Sequence, residues 1–221
     1  LFRWVGFRKF TSLGYAVLLI DGRGSSNRGL SFEAAIKNRL GTVEIEDQVE
    51  GLREVAKRAD GLLDLRRVAI MGWSYGGYLA LLCLAKCPEV YRAAIVGGAV
   101  TCWQLYDTAY TERYLGLPSD PVYKDSSVLK YINQLPNEVD RLLIVHGLID
   151  DNVHFSHTGR LIEALIQAGK PHRLQIFPSE RHGIRSIEAC EFHDACMLSF
   201  LSRALSIDNT ESNLVDDLQK P

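Results

Sequence analysis

The sequence predicts an α/β fold in which a mostly parallel sheet carries helices on both faces. Short, continuously apolar runs alternate along the chain with longer amphipathic stretches, as expected when each strand is buried on both sides and followed by a helix. The chain has 221 residues, of which 47% are hydrophobic and 24% are charged, and its net charge is -2. This composition excludes a disordered chain, and the small net negative charge provides no positive electrostatic field that would favour binding to nucleic acid. No apolar run approaches the roughly 20 residues of a membrane span.

The apolar runs that we interpret as strands are short, and glycine follows the first four within two residues. The five runs are residues 15–20, 68–71, 93–96, 142–145 and 174–177. Helical periodicity marks the longer stretches between and after them. These are residues 31–39, 43–60, 75–86, 155–168 and 187–205. We expect one domain over residues 1–205 and a mobile polar tail over 206–221, because the tail has little to bury.

The number of cysteines and the start of the chain bear on its origin. The five cysteines are Cys83, Cys87, Cys102, Cys190 and Cys196. An odd number in a chain of this length is not a disulfide framework, so we expect free thiols in a reducing compartment. The chain lacks an initial methionine and opens inside the α/β pattern. We therefore expect the C-terminal part of a longer protein, with the first strands of the sheet missing.

The segment Gly72-Trp73-Ser74-Tyr75-Gly76 matches G-x-S-x-G, the nucleophile elbow of α/β-hydrolases. An apolar strand precedes it and a helical stretch follows it, which is the context that the motif requires. Ser74 is the predicted nucleophile at the apex of a strained turn, and we expect side chains at Gly72 and Gly76 to collide with that turn. The backbone N–H of Tyr75 is the predicted oxyanion donor.

A serine nucleophile needs a histidine base that is oriented by a carboxylate, and in this fold they follow in the order Ser, Asp, His. Asp150 and Asp151 both follow the run at 142–145, so either could be the acid. His182 follows the last apolar run and is the predicted base. His146, which ends a strand, is expected to support a loop.

Two further patterns leave alternatives open. His154 and His157 are three residues apart, but no third ligand at suitable spacing completes a metal site, so we predict neither a metal nor a cofactor. An aromatic stripe follows the third apolar run. Its members are Trp103, Tyr106, Tyr110 and Tyr114. Spacing alone fits equally a helix packed on the core and the wall of an apolar substrate pocket.

With these residues assembled, the sequence resembles the prolyl oligopeptidase family of serine peptidases, and within it the dipeptidyl peptidase IV group. The strings that carry the resemblance are GWSYGGYLAL at 72–81, YTERYLG at 110–116 and DDNVHFSHT at 150–158. Three more are most similar to the cytosolic dipeptidyl peptidases 8 and 9. They are IDGRGSSNRGLSFE at 20–33, GTVEIEDQVEGL at 41–52 and AGKPHRLQIFPSERHGIR at 168–185.

The resemblance implies an α/β-hydrolase domain that releases N-terminal dipeptides with proline or alanine in second position. It implies that Ser74 is the nucleophile, Asp150 the acid and His182 the base. It also implies a set of substrate-binding residues. They are Val100, Trp103, Tyr106, Tyr110, Arg113, Tyr114, Asn152 and Val153. It further implies a cytosolic homodimer and an N-terminal β-propeller that this chain lacks.

Two other interpretations remain open at this point. One is a different serine hydrolase on the same fold, such as an acyl-peptide hydrolase or an esterase. The other is a non-catalytic dimerisation fragment, because missing strands would leave an open sheet edge. For dimerisation, the helix predicted at 187–205 is the candidate surface. We expect peptide partners and a second copy of the chain, and neither nucleic acid nor a membrane.

Overall fold

The computed structural model describes residues 6–118 and 120–206. Within these ranges four strands form one sheet, and their order across the sheet is their order along the chain. They are β1 (Ala69–Trp73), β2 (Ala93–Gly97), β3 (Leu142–Gly147) and β4 (Arg173–Phe177). Every neighbouring pair is parallel. All four strands therefore end at the same edge of the sheet, which is where ligand and catalytic sites of α/β sheets form.

Helices connect and flank these strands within the described part of the chain. The α-helices are α1 (Arg8–Thr11), α2 (Leu30–Glu33), α3 (Val43–Arg58), α4 (Tyr75–Lys86), α5 (Thr108–Leu115), α6 (Asp120–Asp125), α7 (Ser156–Gln167) and α8 (Ile187–Ala204). Short 3₁₀ helices cover Ala34–Ile36, Trp103–Leu105 and Val128–Gln134. Among the described residues, no helix has both the length and the apolar character to cross a bilayer.

The sheet buries a separate core on each face. Ala94 and Val96 of β2 belong to the core that α3, α4 and α7 cover. Ala93 and Ile95, which alternate with them, belong to the core that α8 covers. This alternation is the period of a strand, whose successive side chains point to opposite faces. The predicted parallel sheet with helices on both faces is therefore confirmed.

The prediction of a strand at residues 15–20 is wrong. This run belongs to no strand, and Val17, Leu18 and Leu19 are 39%, 39% and 52% exposed. Within the described residues, β1 pairs only with β2, so this run forms no ladder with the sheet. An apolar run has the composition of a strand, but it becomes one only when its N–H and C=O groups have partners in a neighbouring strand.

The other predicted elements are present, with small differences at their ends. The stretch at 31–39 divides into α2 and a 3₁₀ turn, and the short helices between β2 and β3 were not predicted individually. All five cysteines are free thiols. The predicted mobile tail lies outside the described residues from 207 onward, and the single domain over 1–205 stays a prediction.

Candidate active site

Ser74 lies at a sharp turn between β1 and α4. Its backbone has φ 57° and ψ -115°, which is strained for a residue with a side chain. A Cβ on Gly72 would lie 2.0 Å from the carbonyl oxygen of Gly76, so the predicted collision at Gly72 is confirmed. The same prediction for Gly76 is wrong, because a Cβ there would meet nothing within 4 Å. The tight position is instead Gly77, whose Cβ would lie 2.8 Å from the Ala99 Cβ.

Tyr75 is the first residue of α4. The first N–H groups of a helix have no partner inside it, and they carry the positive end of the helix dipole. The backbone N–H of Tyr75 is therefore one of a set of donors beside the Ser74 side chain. Such donors suit an oxyanion that forms on a carbonyl attacked by Ser74.

The structure separates the two candidate acids. Asp150 is buried and its Oδ2 accepts a hydrogen bond from His182 Nδ1 at 2.8 Å. Its Oδ1 accepts from the backbone N–H groups of Asn152 and Val153, both at 2.9 Å. Asp151 is exposed and forms an ion pair with Arg181 instead. Of the two carboxylates, Asp150 alone is placed to orient the His182 imidazole.

His182 is tied to the nucleophile turn through its backbone. The indole Nε1 of Trp73, the residue before Ser74, donates to the His182 carbonyl oxygen at 2.6 Å. The indole lies where a side chain at Gly97 would stand, since a Cβ there would be 1.9 Å from its Cε3. Among the described residues, no hydrogen bond joins Ser74 Oγ to His182. Catalytic hydrogen bonds are often long before substrate is present.

His146 lies fully buried behind the acid. Its Nε2 is 2.8 Å from the Val153 carbonyl oxygen and 3.1 Å from Asp150 Oδ2, and its Nδ1 is 2.6 Å from the Thr158 hydroxyl. Burial lowers the pKa of the His146 imidazole. His146 therefore supports its loop as the sequence predicts, and it does so both at the Val153 carbonyl and at the carboxylate that orients His182.

The aromatic stripe forms a continuous set of ring contacts. Trp103 and Tyr110 stack with centroids 5.9 Å apart, and Tyr106 meets Tyr110 edge-on at 5.3 Å. Tyr114 extends the set, with its centroid 4.8 Å from that of Tyr110. Trp103 is buried and the three tyrosines are half-buried. The three tyrosine rings thus pack on the core and on Trp103 with one side and leave partly accessible faces.

The remaining predicted pocket residues divide into near and distant ones. The Tyr106 hydroxyl donates to Asn152 Oδ1 at 2.9 Å, which joins the aromatic set to the Asp150 loop. Val100 and Val153 are fully buried beneath this region. Arg113 is exposed on α5, with its guanidinium 5.4 Å from the Tyr114 ring centroid. Among these contacts, Asn152 has a direct link to the site, and Arg113 reaches it only through Tyr114.

Glu44, in the first turn of α3, was missed by the sequence analysis. It is buried, and its carboxylate accepts from the Tyr75 hydroxyl at 2.5 Å and from the backbone N–H groups of Gly41 and Thr42. Burial and the Glu44 charge raise the pKa of Tyr75 well above its ordinary value. The Tyr75 ring lies 6.0 Å from that of Trp103, so Glu44 also anchors one end of the aromatic set.

Comparison with known proteins gives one consistent result. Residues 2–208 match the family model described as the prolyl oligopeptidase family. The chain is 50% identical over 196 residues to dipeptidyl peptidase 8 of Homo sapiens, an alignment that covers 88% of this chain and 22% of that protein. It is 42% identical over 172 residues to dipeptidyl peptidase family member 1 of Caenorhabditis elegans, covering 77% of this chain and 21% of that protein.

A further relative extends this similarity. Dipeptidyl peptidase 4 of Sus scrofa is 40% identical over 195 residues, which cover 86% of this chain and 25% of that protein. The chain thus spans between a fifth and a quarter of the length of these relatives.

Proposed function

The chain belongs to the prolyl oligopeptidase family, and we propose that it carries the catalytic residues of a serine-type dipeptidyl peptidase. One observation supports this most strongly: the buried Asp150 carboxylate accepts a hydrogen bond from His182, and Ser74 has a strained backbone just before the start of a helix. Its relatives bear the name dipeptidyl peptidase. The proposed catalytic set is Ser74, Asp150 and His182, with Tyr75 as oxyanion donor.

The proposed reaction is acyl transfer in two steps. Ser74 Oγ attacks the carbonyl carbon of the second substrate residue, His182 Nε2 takes the hydroxyl proton, and the oxyanion faces the Tyr75 N–H. His182 then gives this proton to the leaving amine as the C–N bond breaks, which leaves the dipeptidyl ester of Ser74. Water hydrolyses the ester by the same route, releases the dipeptide and restores the hydroxyl. Asp150 stabilises the imidazolium that forms in each step.

We propose that the substrates are peptides with proline or alanine in second position. The half-buried rings of Tyr106 and Tyr110, which the buried ring of Trp103 supports from behind, provide flat apolar walls for a pyrrolidine. A rigid ring loses little conformational entropy on binding such a pocket. Asn152 accepts from Tyr106 through its Oδ1, which leaves its amide N–H groups as donors for a substrate carbonyl.

We further propose a cytosolic enzyme that dimerises through α8. The five free thiols suit a reducing compartment. Ile187 and Phe192 expose large apolar surface on α8, and burial of such surface stabilises an interface between copies. Sedimentation of the chain with and without Phe192→Glu tests this surface: the variant should shift toward monomer, and a monomeric parent would contradict the proposal.

Release of dipeptides from fluorogenic amides tests the substrate proposal. Gly-Pro and Ala-Pro amides should be cleaved faster than a Gly-Leu amide, and Ser74→Ala should cleave none of them. Trp103→Ala should reduce the preference for proline. Cleavage that persists in Ser74→Ala would contradict the mechanism. Removal of N-acetyl amino acids without any dipeptide release would favour an acyl-peptide hydrolase instead.

A further inference from the structure

We propose that His146 is a positioning residue for catalysis, in which its Nε2–H holds the same Asp150 oxygen that accepts from His182. The inference rests on the proposed serine peptidase mechanism and adds a fourth residue to it. His146 touches neither substrate nor the reacting atoms, so its effect passes through Asp150.

The hydrogen-bond partners of His146 determine which nitrogen carries its proton. Nε2 faces two acceptors, the Val153 carbonyl oxygen at 2.8 Å and Asp150 Oδ2 at 3.1 Å. Neither of these can donate, so Nε2 carries the proton and shares it between them. In the neutral ring Nδ1 is then an acceptor, and the Thr158 hydroxyl donates to it at 2.6 Å. Every polar atom of this buried ring is thereby satisfied.

This arrangement gives the Asp150 carboxylate four N–H donors. Oδ1 receives the backbone groups of Asn152 and Val153, and Oδ2 receives His182 and His146. A carboxylate held by donors on both oxygens cannot rotate without breaking bonds. The hydrogen bond from His146 therefore fixes the plane in which Oδ2 meets the His182 Nδ1.

Among the described residues, three titratable groups face His146 from the elements around it. They are Asp150 on the loop after β3, His182 on the loop after β4 and His157 on α7. Phe155 covers the ring at 5.5 Å between centroids. Enclosed in this way, His146 acts as a fixed neutral donor.

A donor on Oδ2 has a consequence that packing alone would not have. The His146 hydrogen bond draws negative charge on Oδ2 away from His182. Without it, Asp150 would stabilise the His182 imidazolium more strongly, while the carboxylate would be held less firmly. Loss of the donor should slow the reaction, because the carboxylate is then held less firmly against His182. It should also move the pH dependence upward, because the reaction needs neutral His182.

The experiment measures covalent labelling of the 221-residue chain by a fluorophosphonate from pH 5 to pH 9. His146→Phe keeps a ring but removes the donor, and should slow labelling by roughly tenfold to a hundredfold, the effect of one hydrogen bond to a charged group. Its pH of half-maximal labelling should rise by about half a unit. His146→Gln, whose side-chain amide lies near the position of Nε2, should restore the rate to within about threefold.

The matched control is His157→Phe. His157 is equally buried, but its Nδ1 accepts from the Thr101 N–H and it makes no hydrogen bond to Asp150. This variant should keep the parental pH of half-maximal labelling. If His146→Phe labels with the parental pH dependence, or if Gln restores nothing, His146 only fills space and the proposal is wrong.

A second measurement does not depend on activity. In ¹⁵N NMR spectra, His146 should be neutral and protonated on Nε2, and its Nε2 proton should shift in Asp150→Ala but not in Asp151→Ala. A ring protonated on Nδ1, or one insensitive to Asp150, would overturn the proposal even in an inactive chain. Failure of the parent chain to label, with these NMR signals as expected, would instead count against the proposed function.

Discussion

Residues 15–20 and residues 142–145 look alike in sequence but differ in structure. Both are continuous apolar runs that predict a buried strand. The second becomes part of β3, which lies between β2 and β4 and is buried along its whole length. The first forms no strand and exposes most of its side chains. The difference shows that apolar composition permits a strand, whereas hydrogen-bonding neighbours create it. The candidate acid follows the run that has neighbours on both sides.

The largest expected effect on the reaction rate is at Asp150, in the loop that follows β3. Asp150→Asn keeps the shape of the side chain but loses the charge that orients and stabilises His182. By analogy with the protease triad, labelling by a fluorophosphonate should slow by about 10⁴-fold. The neighbouring Asp151→Asn, which loses an exposed ion pair, should change the rate less than threefold, as is usual for such pairs. A larger loss in Asp151→Asn than in Asp150→Asn would reverse the assignment of the acid.

The stability of the two apolar runs can be compared directly. Ile144→Ala removes a fully buried side chain from β3 and should lower the free energy of unfolding by about 3 to 4 kcal/mol. Leu19→Ala removes a side chain that is 52% exposed and should cost less than about 1 kcal/mol. Chemical denaturation of both variants measures this difference. Equal losses would mean that residues 15–20 are enclosed in solution as firmly as β3.

The loss of stability in acid should originate in the enclosed region, because the exposed run at residues 15–20 contains no histidine. Burial lowers the pKa of His157 to about 4 in the folded chain, from 6.5 in an ordinary environment. The neutral imidazole therefore stabilises the fold above pH 6.5, and this contribution is lost as the pH falls toward 4. The free energy of unfolding should decrease by up to about 3 kcal/mol over this range. His157→Asn keeps an acceptor for the Thr101 N–H and should have a flatter profile; an unchanged profile would contradict this account.

Two tyrosines provide the smallest test. Tyr75→Phe removes the hydroxyl that donates to buried Glu44 and should lower the free energy of unfolding by about 1 to 2 kcal/mol. Tyr15→Phe, in the exposed run, should change it by less than about 0.5 kcal/mol. Thermal denaturation of both variants measures this contrast. If Tyr75→Phe left the free energy of unfolding unchanged, the hydrogen bond from the Tyr75 hydroxyl would not stabilise the buried Glu44 carboxylate.

The parts of the fold that the sequence predicts are those determined locally. The strands at 93–96 and 142–145 and the turn at Ser74 follow from short patterns of apolar residues and glycine. The apolar pattern predicts a strand wrongly at residues 15–20, because the residues of the run do not determine whether another strand pairs with it. The predicted collision at Gly76 is wrong because the backbone of Gly76 fills the space beside Gly72, whereas a Cβ on Gly76 would point into open space.

In the candidate site, too, the sequence predicts what short local patterns determine and misses what tertiary contacts determine. The order of serine, acid and base narrows the acid to Asp150 or Asp151, but the direction of the Asp150 carboxylate depends on the turn whose N–H groups bind its Oδ1. Glu44 lies 31 residues before Tyr75, and no spacing rule connects them. His146 precedes Asp150 by four residues, yet its role depends on the tautomer that Val153 and Thr158 impose. Such contacts become visible only once the chain is folded.

Covalent labelling with mapping of the modified residue tests the central claim most directly. The 221-residue chain is treated with a fluorophosphonate, digested and analysed by mass spectrometry, with Ser74→Ala as the control. The account predicts a single modification on Ser74 that is absent from the folded Ser74→Ala variant. A folded parent chain that remains unmodified, or a modification that persists in Ser74→Ala, would contradict it.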